Sequence, residues 1–183
     1  MLSGNTDCYQ PAERKFEITR ELLKEFLKYK HLVVIITKNA LRQRDLYLLK
    51  NLAKDNLIKM NMTITTLDEE LRRKLEPRTS SSKNRIAKIK ALSENGIPVS
   101  ILMAPVTPGL NSNEMFNLLK KVSEAGAYAA YHLMVRLNGP IQELFSNWFK
   151  NNYPYRASKV LKLIKDSHGG KLNDSRFKTR MRG

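Results

Sequence analysis

Apolar residues in this chain fall into short continuous runs that alternate with helically spaced stripes. Residues 32–37, Leu32-Val33-Val34-Ile35-Ile36-Thr37, are a β-branched run of the kind that forms a parallel strand covered on both faces. Residues 58–66, 97–104 and 128–137 repeat the pattern and predict three more strands. Between them lie helical stripes. Leu46, Leu48, Leu49 and Leu52 predict a helix over 45–54. An acidic first turn at Asp68, Glu69 and Glu70 opens a short helix that Pro77 stops. The caps offered by Thr79, Ser80, Ser81 and Ser82 start a longer helix through Ile86, Ile89 and Leu92, which Gly96 ends. Asn111 opens another, closed by Gly126. A helix over 11–30, with Phe16, Leu22, Leu23, Phe26 and Leu27 on one face, precedes the first strand, and helices over 140–151 and 156–166 follow the last.

Strands that alternate with helices at roughly 25 to 40 residues imply right-handed parallel crossovers, and so an α/β fold with a helix-covered parallel sheet. An open doubly wound sheet and a slice of a barrel both satisfy this pattern. The expected division is a core over 1–167 and a basic tail over 168–183, where Lys171, Arg176, Lys178, Arg180 and Arg182 face only Asp174.

Composition narrows the function classes. With 183 residues, 42% hydrophobic and 27% charged, the chain suits one globular domain. No apolar run approaches the roughly 18 residues of a membrane span, so a cytoplasmic location is expected. The formal charge of +16 and pI near 10.0 favour anionic partners, although aromatic residues are not interleaved with the basic ones as in a nucleic-acid module. Cys8 is the single cysteine, which excludes an internal disulfide or a multi-cysteine metal site and makes it a plain loop residue. His31, His132 and His168 have no metal-ligand spacing. There is no GxGxxG, GxxxxGK[ST] or GxSxG motif for a phosphate cradle or a serine hydrolase.

In parallel α/β folds, ligand chemistry collects at the C-terminal ends of strands. Here those ends carry Thr37 and Lys38, then Thr63, Thr65 and Thr66, then residues 104–111, and finally Arg136 and Leu137. Their hydroxyls, lysine and arginine suit a carboxylate, a ribose and an anionic group. Thr is also common in strands for reasons of packing alone.

The loops add a resemblance. Ser3-Gly4-Asn5-Thr6-Asp7-Cys8-Tyr9-Gln10-Pro11, Ile36-Thr37-Lys38, Ile64-Thr65-Thr66-Leu67-Asp68, Glu76-Pro77-Arg78, Ala104-Pro105 with Pro108-Gly109-Leu110-Asn111, and residues 177–183 occur in the order seen in radical S-adenosylmethionine (SAM) proteins related to spore photoproduct lyase. The chain resembles this family over essentially its whole length. The resemblance implies part of a (β/α)6 partial TIM barrel, strands three to six plus the loop after strand two. It places Gly4, Asn5, Thr6 and Asp7 at the SAM amino group, Thr63 and Thr65 near the ribose or methionine carboxylate, and Arg78 on that carboxylate. Val106 and Asn111 fall in the loop that receives adenine, with Arg136 and Leu137 near the same side. A guanidinium can hold a carboxylate bidentately, and backbone groups can read an adenine edge.

The same resemblance brings a conflict. The family binds a [4Fe-4S] cluster through CxxxCxxC after its first strand, and this sequence has no such segment. Relatives usually have Pro where Cys8 stands, and they continue beyond Arg180-Met181-Arg182-Gly183. The expectation is therefore a truncated radical SAM core. The intact parent would bind SAM and the cluster, generate a 5′-deoxyadenosyl radical and act on an unidentified substrate, nucleic acid being one class considered. The chain alone is expected to be inactive as a radical enzyme and aggregation-prone along an uncovered strand edge. The alternative is a non-catalytic, basic nucleic-acid-binding domain on the same scaffold. A cluster-free methyl-transfer enzyme has no dedicated motif. No membrane partner is expected, and the sequence does not indicate an oligomeric state.

Overall fold

The computed structural model of the chain describes residues 1–3, 6–39 and 43–173. Four strands, β1 (Val33–Thr37), β2 (Ile58–Thr63), β3 (Val99–Val106) and β4 (Ala129–Met134), form one sheet in the order β1-β2-β3-β4. Val33 lies opposite Ile58, and Met60 lies opposite Val99, both in parallel register. Tyr128 N–H to the Val99 carbonyl and Val135 N–H to the Val106 carbonyl tie the fourth strand to the third. A doubly wound sheet reverses its strand order at a switch point, whereas this order is strictly sequential. The architecture is α/β, a four-stranded parallel sheet with helices of the kind found in a partial barrel.

Eight helices accompany the strands among the described residues: α1 (Glu13–Phe16), α2 (Ile18–Lys28), α3 (Leu46–Lys54), α4 (Glu69–Leu75), α5 (Ser82–Glu94), α6 (Met115–Glu124), α7 (Pro140–Asn152) and α8 (Pro154–Ser167). The single helix expected over 11–30 is broken, with Glu17 in the left-handed region at φ 52°. Glu13 gives the physical reason. Its buried carboxylate accepts from the N–H groups of Thr19 (3.0 Å) and Arg20 (3.3 Å), capping the first turn of α2 from a neighbouring turn of chain. The Ser cap expected before α5 forms, Asp68 caps α4, and Asn111 makes no side-chain cap at the turn it opens. Asp68 accepts from Glu70 and Leu71 N–H at the start of α4, and Ser81 accepts from Asn84 N–H at the start of α5.

The chain makes two compact units, Met1–Met103 with Phe116–Tyr131, and Ala104–Met115 with the residues from His132 onward. The core of the first takes Val33 and Ile35, Ile58, Met60 and Met62, and Val99, Ile101 and Met103 from one face of the strands. Leu49 and Leu52 of α3, Ile89 and Leu92 of α5, and Leu118 and Val122 of α6 are buried with them. In the second unit, Phe149 is fully buried in a cluster with Phe145, Trp148 and Tyr153, and α7 packs on α8. No helix among the described residues is long and apolar enough to cross a membrane.

Candidate functional site

The C-terminal end of β1 and the N-terminal loop are joined by one carboxylate. Asp7 Oδ1 accepts from the Tyr9 N–H (2.9 Å) and the Thr37 hydroxyl (2.8 Å), while Oδ2 accepts from the Lys38 N–H (2.7 Å) and is 3.0 Å from the same hydroxyl. Leu2 adds a parallel bridge to Ile35 through Leu2 N–H and the Val34 carbonyl (2.8 Å). Leu2 and Asp7 are thereby tied to β1 and the residue that follows it. Three donors leave the carboxylate room for about one more, given roughly four lone-pair positions.

Beside it is a cavity of about 240 Å³, lined by Ser3, Thr6, Asp7, Lys38 and Thr63 together with Ile36 and Thr37. Thr6 is exposed, Thr63 is buried, and Lys38 is half-buried with its ammonium 2.8 Å from Glu76 Oε1. Glu76 is the centre of a buried network. Oε1 also accepts from the Thr65 hydroxyl (2.5 Å), and Oε2 accepts from Arg85 Nη2 (2.9 Å). Arg85 is fully buried and donates further to the carbonyls of Thr63 (2.7 Å) and Ser80 (3.0 Å) and to the Thr79 hydroxyl. Burial would raise the Glu76 carboxyl, but Lys38, Thr65 and Arg85 outweigh it and hold it below the usual glutamate range. Glu76 is therefore an anion at neutral pH, set between two cations.

The network pins the end of β2. Arg85 reaches it because α5 returns over the strand and presents Ser82, Arg85, Ile89 and Leu92 inward. Arg72 of α4 closes the same loop from the other side, donating to the carbonyls of Glu76 (3.2 Å) and Thr79 (2.9 Å) while its Nε pairs with Glu69 (2.7 Å).

The sequence-derived candidates divide by unit. Thr6, Asp7 and Thr63 meet at the cavity of the first unit, and Thr65 stands behind it on Glu76. Gly4 and Asn5 lie outside the described residues, as does the 177–183 motif. Arg78 is exposed and is not part of the cavity wall, whereas Lys38 is. In the second unit, Asn111 is fully buried and shapes its own loop, accepting from Thr107 N–H (2.7 Å) and donating to the Pro105 carbonyl (3.1 Å). Val106 and Leu137 are buried and Arg136 is exposed. Gly109 has φ +73°, a left-handed conformation that favours glycine, and a Cβ there would also press on Leu163 Cδ1 of α8 at 2.8 Å. Arg156 of α8 donates to the Gly109 carbonyl (2.7 Å).

Glu76 stands in the Glu76-Pro77-Arg78 motif, where only Arg78 was given a role, and Arg85 was not singled out from sequence. The available signal was the spacing of Arg85, Ile89 and Leu92, which puts an arginine in line with the apolar stripe of α5.

Cys8 offers little nucleophilic or ligand character. Burial, with smaller contributions from Asp7 and Glu13, pushes its thiol up to about 11, so it is protonated at neutral pH. No cluster of three or more His, Cys, Asp or Glu arranged for a metal occurs among the described residues.

Comparison with known proteins gives both relatives and a family. Among curated relatives, an uncharacterized protein of Methanocaldococcus jannaschii is 31% identical over 153 residues, covering 84% of this chain and 56% of the relative. An uncharacterized protein of Mycobacterium tuberculosis is 27% identical over 166 residues, 90% of this chain and 49% of the relative. One from the Acidianus two-tailed virus is 26% identical over 144 residues, 76% and 46% respectively. The chain spans about half the length of these relatives. The model of the radical SAM superfamily matches residues 1–122, which takes in the Asp7 loop, the Glu76 network and the first three strands, so the chain belongs to that superfamily.

Proposed function

We propose that the first unit binds the methionine end of SAM in the cavity between the Asp7 loop and the ends of β1 and β2. The observation that carries this reading is the pair of opposite charges on the cavity wall: the Asp7 carboxylate and the Lys38 ammonium line one space of about 240 Å³. The α-amino and α-carboxylate groups of SAM carry the complementary charges. Lys38 has three N–H donors and gives one to Glu76, so two remain for a carboxylate. Asp7 can accept an ammonium proton without leaving Thr37. Thr63 supplies a hydroxyl at the same wall.

Radical SAM proteins generally combine SAM with a [4Fe-4S] cluster, and bound SAM supplies their hydrogen-abstracting chemistry. The residues of the cavity fit SAM. They do not fit the cluster, because Cys8 is the single cysteine of the chain and its thiol is held protonated. The role of this chain's residues is thus to bind and orient SAM at the strand ends. The adenine-side assignments, Val106, Asn111, Arg136 and Leu137, fall in the second unit and rest on the resemblance to spore photoproduct lyase relatives, as does Arg78. The substrate of the whole protein belongs to the same proposal, with nucleic acid as the class that a charge of +16 favours.

Calorimetric titration of the chain with SAM tests the reading. Saturable binding is expected, weakened about tenfold or more by Lys38→Met and by Asp7→Asn, the size of one lost charge-assisted contact. Absence of saturable binding overturns it. The second reading, a basic nucleic-acid-binding domain, is supported by the net charge alone. It predicts salt-steep binding of DNA or RNA with no response to SAM.

A further inference from the structure

Among the described residues, the four charged groups joined at the cavity wall balance, although the chain as a whole carries +16. Asp7 and Lys38 line the wall, and Glu76 and Arg85 stand directly behind Lys38. Two anions meet two cations. The neighbouring Arg72 is matched by Glu69 at 2.7 Å, so it adds no net charge. Arg85 is committed to the protein, since it holds the carbonyls of Thr63 and Ser80. Its cation cannot be removed without loosening the end of β2. Glu76 is the group that cancels it, and it is shared with Lys38 at 2.8 Å and Arg85 at 2.9 Å.

We infer that Glu76 determines the charge selectivity of the cavity, allowing the cationic adenosyl ligand SAM and rejecting anionic adenosyl ligands such as adenine nucleotides. SAM carries a sulfonium, an ammonium and one carboxylate, for a net charge of +1. ATP offers the same adenosine with several negative charges. With Glu76 ionised the Asp7, Lys38, Glu76 and Arg85 charges sum to zero, and Lys38 serves one carboxylate without drawing in a polyphosphate. Without that anion, Lys38 and Arg85 together would make a cationic site within a strongly cationic protein. Such a site concentrates phosphates. Glu76 acts through Lys38, so it is a positioning residue that sets specificity.

The inference rests on the proposed SAM site, and the experiment separates the two. SAM and ATP affinities are measured calorimetrically on the full chain, on Glu76→Gln, on Glu76→Asp and on Glu94→Gln. Glu94 is an exposed residue of α5 whose neutralisation changes the charge of the chain equally. Glu76→Gln is expected to shift the SAM-to-ATP affinity ratio toward ATP by at least about tenfold, as expected for a unit charge within several ångströms of the ligand. Glu76→Asp keeps the ratio of the unaltered chain even where both affinities fall, because the charge is retained. Glu94→Gln leaves the ratio unchanged. A purely structural role would lower both affinities alike in Glu76→Gln and leave the ratio fixed, which overturns the inference while the SAM site stands. If the unaltered chain binds no SAM, the site itself fails and the inference with it.

Discussion

The two faces of the sheet in the first unit are built differently. On one, Val33, Ile35, Met60, Met62, Val99 and Ile101 are at most 2% exposed. On the other, Val34, Ile36, Lys59, Asn61, Ser100, Leu102, Tyr128 and Tyr131 surround an open cavity of about 310 Å³. Toward the C-terminal ends of the strands, Lys38, Thr63 and Thr65 meet the buried Glu76–Arg85 pair. Hydrophobic burial stabilises the first face, and a hydrogen-bonded ion network shapes the working end of the second. The difference explains why a strand can look uniformly apolar in sequence and still have two unlike sides.

Paired substitutions on adjacent residues of β1 give the largest expected contrast. Ile35→Ala, on the covered face, should cost about 2–5 kcal/mol in urea unfolding. Ile36→Ala, half-buried beside the open cavity, should cost about 1 kcal/mol or less, since little of its surface leaves water on folding. Equal losses would mean that the second face is as fully packed as the first.

Acid sharpens the comparison at the ionic end. The folded-state carboxyl of Glu76 is held below its ordinary value, so its contribution to stability is complete above the ordinary glutamate range. That contribution disappears as pH falls through the lowered folded value. Urea unfolding as a function of pH should therefore show a steeper acid loss for the unaltered chain than for Glu76→Gln. Parallel curves would remove Glu76 from the charged network.

Much of this fold was legible in the sequence, because parallel strands and amphipathic helices carry strong periodic signals. The four strands and their helices are in the expected order, with ends shifted by a few residues. The break at Glu17 was hidden, since it depends on a Glu13 side chain that caps a helix other than its own. The continuous run of β1 suggested cover on both faces, yet Val34 and Ile36 are half-buried. In β4, Tyr131 and Leu133 are more than half exposed for the same reason: apolar content reports what a strand can bury, and what covers it is a tertiary matter. At the candidate site, Thr63 and Lys38 could be noted from their place at strand ends, and Thr6 and Asp7 through the resemblance of their loop to a known family. The Glu76–Arg85 pair could not, because it forms only when α5 folds back over β2.

The most direct test of the account is hydrogen exchange of the chain with and without SAM. Slowed exchange is expected in the amides of residues 6–9 and 36–39 and at the end of β2 near Thr63, where the cavity wall lies. Saturating SAM that leaves these amides unchanged, or protects only segments away from the ends of β1 and β2, would contradict it.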